Sequence, residues 1–155
     1  MFFHAGKTYR LRISNVGLQS TLNFLIQEHC MTAPVEVEGT HTVQNSYTSV
    51  DVHAGQSLCV LFTADRPARD YRVVVSTRFA SATLRSTAVI RYAGSSGPAF
   101  EPLPAAAGPS DDDVDFSLNQ VRSIRYEQEL IRVAARSSRR RAATRTSRPI
   151  RSCRV

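Results

Sequence analysis

The stretch from Val35 to Asp65 constrains the fold more than any other: VEVEGTHTVQNSYTSVDVHAGQSLCVLFTAD. It holds three apolar/polar alternations separated by turn residues, the pattern of half-buried strands in an antiparallel sheet. In VEVE, Val35 and Val37 share a face opposite Glu36 and Glu38. Gly39 ends that run, and Thr40 with Gln44-Asn45-Ser46 continues the loop. In SVDVH, Val50 and Val52 oppose Asp51 and His53. Ala54-Gly55-Gln56 turns the chain tightly into SLCVLFTA, where Leu58, Val60 and Phe62 oppose Cys59, Leu61 and Thr63. This last run is apolar on both faces, which places it inside a packed sandwich.

The flanking sequence repeats the theme. TYRLRIS alternates Tyr9, Leu11 and Ile13 with Thr8, Arg10 and Arg12, and Asn15-Val16-Gly17 stops it. Leu22, Phe24 and Ile26 form the core face of the next strand. Pro34 lacks an N–H and so belongs at a strand start or an edge. After the loop Arg66-Pro67-Ala68-Arg69, DYRVVVST puts Tyr71, Val73 and Val75 on one face. A last strand, Leu84 to Tyr92, sets Leu84, Ala88, Ile90 and Tyr92 against Arg85, Thr87 and Arg91. About seven short strands with no strong helix among them predict an all-β sandwich with Greek-key connections.

Beyond Gly94 the composition changes to GSSGPAFEPLPAAAGP, an extended linker without a core of its own. Asp111-Asp112-Asp113 then reads as a solvated loop, since adjacent side chains in extended chain point to alternate faces and cannot share a metal. Tyr126 to Arg136 has helical neighbour spacing. After Ser137 the chain is rich in arginine, nearly devoid of large apolar residues and not expected to fold alone. The charge is split accordingly. Residues 1–120 hold nine Lys/Arg against eleven Asp/Glu, a net of −2, whereas residues 121–155 hold eleven Arg against two Glu, a net of +9. The formal charge of +7 thus belongs to the tail and says nothing about the surface of the β-domain.

No apolar run is long enough for a membrane span, which needs roughly 20 residues. MFFHAGKTYR turns polar too soon to read as a secretory signal. Cys30, Cys59 and Cys153 show no CxxC spacing. Buried thiols at Cys30 and Cys59 are favoured over a Cys30–Cys59 disulfide, which stays open. His29-Cys30-Met31 places three copper-ligand types side by side. A type 1 copper site, however, needs two His and a Cys thiolate converging on one point, and neighbours on a strand diverge. The remaining histidines, His4, His41 and His53, form no His-x-His pair. No nucleophilic triad, phosphate loop or His/Glu metal motif is present. Glu36 and Glu38 read as a solvated strand face, and His41 and Gln44 as turn or packing residues. Catalytic, cofactor-binding and metal-ligating residues are therefore all expected to be none within this chain. The basic tail would bind polyanions through phosphate contacts, but it carries one aromatic, Tyr126, and lacks stacking residues for specific nucleic-acid binding.

GKTYRLRISNVG (6–17), VEVEGTHTVQNSY (35–47), DVHAGQSLCVLFTAD (51–65), DYRVVVSTRF (70–79) and SLNQVRSIR (117–125) occur in this order. Together they resemble the second plastocyanin-like domain of plant multicopper-oxidase-like proteins, closest to the ascorbate-oxidase-like, pollen-specific and monocopper oxidase-like subgroup. The resemblance implies a cupredoxin Greek-key sandwich over residues 1–97, possibly without its first strands. A Pro/Ala/Asp-rich linker over 98–116 follows, then a segment 117–155 that is family-like to 125 and Arg-rich after it. It further implies a secreted, cell-wall or plasma-membrane-surface protein with three such domains in tandem, copper being held by the first and third. Domain two contributes no ligands at equivalent positions, so its partners are the neighbouring cupredoxin domains. The function expected on this basis is a non-catalytic structural domain. The alternative, from the tail, is a basic nucleic-acid or polyanion binder.

Overall fold

The computed structural model describes residues 2–37, 40–43, 45–95, 97 and 108–124. Ten strands and one helix follow in chain order: β1 (Phe2–Phe3), β2 (Thr8–Ser14), β3 (Thr21–Ile26), β4 (Met31–Val37), β5 (Thr40–His41), β6 (Asn45–Tyr47), β7 (Ser49–Val52), β8 (Ser57–Thr63), β9 (Asp70–Arg78), β10 (Arg85–Tyr92) and α1 (Val114–Ser123). One sheet has the order β1-β10-β9-β3-β7; the other has β2-β8-β4-β5, with β6 also on β4. Every pairing is antiparallel except β1 on β10. Sequence neighbours repeatedly lie in opposite sheets, as in a Greek-key sandwich.

The core forms where the inward phases of the two sheets meet. Val50, Val52, Ile26 and Tyr71 from one sheet pack with Leu58, Val60 and Phe62 from the other. The faces expected from alternation hold for these strands, and β8 is buried on both sides, Cys59 included. The three additional strands, β1, β5 and β6, have only two or three residues each, too few for an alternation to register. The loop read over 40–46 therefore contains short pairings to β4.

Three further expectations are corrected. Pro34 is neither at a strand start nor on an edge: β4 lies between β8 and β5/β6, and its register against β8 shifts between Thr32 and Glu36. A proline is tolerated there because an irregular ladder asks for no N–H at that point. Asp51 does not face solvent; all four residues of β7 are buried. The acidic triplet is not simply a solvated loop, since Asp113 N-caps α1 through its side chain, accepting from the Phe116 N–H at 2.9 Å. This helix opens at Val114, inside the span read as linker. The helix expected over 126–136 lies outside the described residues. No described helix is long and apolar enough to cross a membrane.

Candidate functional site

The first place to look for chemistry is His29-Cys30-Met31. A tight turn with Glu28 at φ 59° brings the His29 N–H back to the Ile26 carbonyl at 3.1 Å, which drives the imidazole into the sandwich. The ring lies against Phe62, Tyr71 and Tyr92, with centroids 4.9, 4.6 and 5.9 Å away. Its Nδ1 is 2.6 Å from the Gln27 carbonyl, and its Nε2 is 2.6 Å from the Tyr92 hydroxyl. A carbonyl only accepts, so Nδ1 carries the proton and Nε2 accepts from Tyr92. Burial lowers the His29 pKa below its ordinary value, outweighing the Gln27 carbonyl and the Asp65 and Glu28 charges that pull it up. Burial likewise raises that of the Tyr92 phenol. The result is a neutral imidazole with both nitrogens committed.

The two following residues go elsewhere. Cys30 is held in a disulfide, while Cys59 is a free, buried thiol. The thiol reading thus holds for Cys59 and is overturned for Cys30, and a Cys30–Cys59 bridge is not formed. The distinction follows burial: Cys30 is half-buried at the mouth of β4, whereas Cys59 is almost fully covered. The Arg10–Glu36 ion pair (3.0 Å) joins β2 to β4 across the face of β8 on which Cys59 sits. Met31 is wholly buried in the core.

His53 bonds Thr21 Oγ1 through Nδ1 at 3.0 Å, His4 is exposed, and His41 belongs to β5. Among the described residues no three His, Cys, Asp or Glu side chains are grouped to hold a metal. Copper does not fit at His29-Cys30. The imidazole at His29 has no free lone pair, and the sulfur at Cys30 is not a thiolate.

A second cluster was not foreseen. On the outer face of the β3/β7/β9 sheet, Asp51 Oδ1 accepts from Asn23 Nδ2 at 2.7 Å. Asp51 Oδ2 accepts from Arg78 Nε at 3.4 Å and from the Ser117 hydroxyl of α1. The Gln120 amide meets the Asp51 backbone twice, Oε1 accepting from its N–H at 2.8 Å and Nε2 donating to its carbonyl at 2.9 Å. Arg78 Nη2 donates to the Asp113 carbonyl at 2.6 Å, and the guanidinium lies over the rings of Phe79 and Phe116. Asp51 and Arg78 are both fully buried. Gly108, at φ +109°, passes so close that a Cβ there would meet Asn23 Oδ1 at 2.9 Å. Two signals pointed this way: an Asp inside an otherwise buried strand, and an Asp directly before a helix-compatible run. The cluster clamps α1 to the sheet, with Asn23, Asp51, Arg78, Ser117 and Gln120 all buried.

With the geometry established, comparison with known proteins is decisive. Residues 2–95 match the family model for multicopper oxidases. The chain belongs to the multicopper oxidase family. It is 49% identical over 122 residues to an L-ascorbate oxidase homolog of Nicotiana tabacum, covering 79% of this chain and 22% of that protein. It is 46% identical over 129 residues to the monocopper oxidase-like protein SKU5 of Arabidopsis thaliana, again 79% and 22%. The L-ascorbate oxidase of Cucurbita pepo var. melopepo is 36% identical over 122 residues, covering 76% of this chain and 22% of that protein. The chain therefore spans about a fifth of the length of these relatives. Among solved structures, the multicopper oxidase Fet3p superimposes with a TM-score of 0.61 at 21% identity, over 82% of this chain and 24% of that one. That likeness confirms the cupredoxin-like sandwich.

Proposed function

We propose that the chain serves as a structural, non-catalytic cupredoxin domain of a multicopper-oxidase-like protein, packing against neighbouring cupredoxin domains that carry the copper. The observation behind this reading is the fate of His29-Cys30-Met31, where imidazole, sulfur and thioether are respectively hydrogen-bonded, disulfide-linked and buried in the core. What the residues build instead is rigidity: an aromatic and histidine core on one side of a sheet and the Asp51 clamp on the other. In the longer protein such a body holds its neighbours at fixed separation and shapes the surface between them. The polyanion-binding reading rests on the arginines from Arg125 onward, outside the described residues, and gains nothing from the family match.

The test is to titrate the full chain with Cu(II) and follow both visible absorption and oxygen uptake with ascorbate or a phenol. The expected result is no thiolate-to-copper charge-transfer band and oxygen uptake equal to that of copper alone. Uptake above the copper-only control overturns the proposal.

A further inference from the structure

Four tyrosines lie among the described residues, and their hydroxyl partners differ in kind. Tyr9 accepts from the His4 backbone N–H at 2.7 Å, Tyr47 is bonded to the Ser123 hydroxyl, and Tyr71 donates to the Pro67 carbonyl at 2.9 Å. None of these partners is a base. Tyr92 differs from the other three: it donates to the free nitrogen of a neutral imidazole, His29 Nε2, at 2.6 Å. Tyr92 and His29 are both buried, so no water competes for that proton.

The pairing matters when an electron is removed. A phenol that loses an electron alone becomes a radical cation, and an uncompensated charge in a packed interior is costly. The radical cation is a far stronger acid than the phenol, however, and here a base lies along its O–H bond. The protonated product needs no new partner. Nδ1 already donates to the Gln27 carbonyl at 2.6 Å, and after transfer Nε2 donates to the Tyr92 oxygen along the same line. The charges of Asp65 and Glu28 favour the imidazolium, and that of Arg66 opposes it. Ring contacts lead outward from the pair. The Tyr92 centroid is 5.2 Å from Tyr71 and 5.9 Å from His29; His29 lies 4.9 Å from Phe62, which stacks on half-buried Tyr9 at 6.4 Å. An electron leaves through these rings while only a proton has to move.

We infer that Tyr92 and His29 form a proton-coupled redox pair whose reaction partner is an outer-sphere one-electron oxidant. The oxidant takes one electron from the Tyr92 ring and is itself reduced. The phenol O–H bond breaks, the proton bonds to His29 Nε2, and a neutral tyrosyl radical remains beside an imidazolium. A one-electron reductant such as a phenol returns the electron and is itself oxidised; the proton goes back from Nε2 and both residues are restored. The pair thus holds an oxidising equivalent reversibly inside the sandwich. Met31, in the same core, is the competing sink, and a sulfoxide at its thioether would disrupt the packing.

The test uses the full chain with isotope-labelled histidine, without copper and without oxygen. Flash-generated tris(bipyridine)ruthenium(III) is the oxidant. Transient absorption follows the tyrosyl radical, and electron paramagnetic resonance of the frozen sample reads its couplings. The wild type is expected to give a radical coupled both to an exchangeable proton and to a histidine nitrogen. Tyr92→Phe and His29→Gln are each expected to lower the yield of that coupled radical by about tenfold or more, whereas Tyr9→Phe leaves it within about twofold. The wild-type spectrum needs no variant, so a substitution that unfolds the chain does not spoil the test. A wild-type radical without the histidine coupling, or no radical at all, overturns the inference. So does a coupled radical that persists in Tyr92→Phe. Neither copper nor oxygen uptake enters this assay, so its outcome is separable from that of the oxygen-uptake test.

Discussion

A histidine sealed among aromatic rings has two nitrogens to satisfy and no water to help. At His29 the Gln27 carbonyl takes one and the Tyr92 hydroxyl the other, and the second bond, with Nε2 as acceptor, requires the neutral ring. The consequence is a pH dependence with a definite sign. The folded pKa lies below the unfolded value of 6.5, so between the two the unfolded chain binds more protons. The stability from neutral His29 is fully present above pH 6.5 and is lost as the pH falls through the folded value. We expect the wild type to lose up to about 1.4 kcal/mol per pH unit in that window relative to His29→Gln. Urea unfolding of the two proteins between pH 7.5 and 4.5 measures the difference; parallel curves would refute the assignment. Part of this residue was legible in the sequence. Adjacent ligand types on extended chain diverge by geometry, and here they do, into core and disulfide. The disulfide at Cys30 was not legible, because whether a thiol finds a partner depends on tertiary neighbours rather than on local pattern.

The helix α1 is an element that local pattern assigns poorly. Its buried residues are Ser117 and Gln120, so it has no apolar stripe to announce it. What holds it is the Asp51 carboxylate with Arg78, Ser117 and Asn23, together with the Gln120 amide. The strand phase of Asp51 was read correctly, opposite Val50 and Val52. Its environment was not, because alternation distinguishes the two faces of a strand but not what lies over the second face. Removing one partner of a buried ion pair leaves the other charge unpaired in a low-dielectric site, which costs about 3–5 kcal/mol. Asp51→Ala is therefore expected to lower global stability by about that amount and to raise amide exchange across Val114–Ser123 first. A loss below about 1 kcal/mol, typical of a surface pair, would mean that the clamp carries little.

At the scale of the whole molecule the two sides of the sandwich are finished differently. On one side α1 closes it, with the Ser123 carbonyl accepting from Asn45 Nδ2 at 3.0 Å and its hydroxyl bonded to Tyr47. On the other, β2 pairs only with β8, and Ser86–Val89 has a bare edge among the described residues. Periodicity revealed the strands and their inward faces but carried no information on which edges would lack a neighbour. An open edge with apolar surface beside it is a template for association. Val89 points outward from that edge and is 51% exposed, with Leu84 close by in sequence. A lysine on an edge strand opposes pairing by requiring its charge to stay hydrated. Val89→Lys is thus expected to leave the thermal midpoint within about 2 °C, as a surface substitution in a domain of this size should. It should also raise several-fold the concentration at which the chain begins to self-associate in sedimentation velocity. If the wild type stays monomeric at every concentration reached, the edge is protected by other means. If both proteins associate at the same concentration, the contact lies elsewhere on the surface, with the exposed loop side chains Val16 and Leu18 the next to replace.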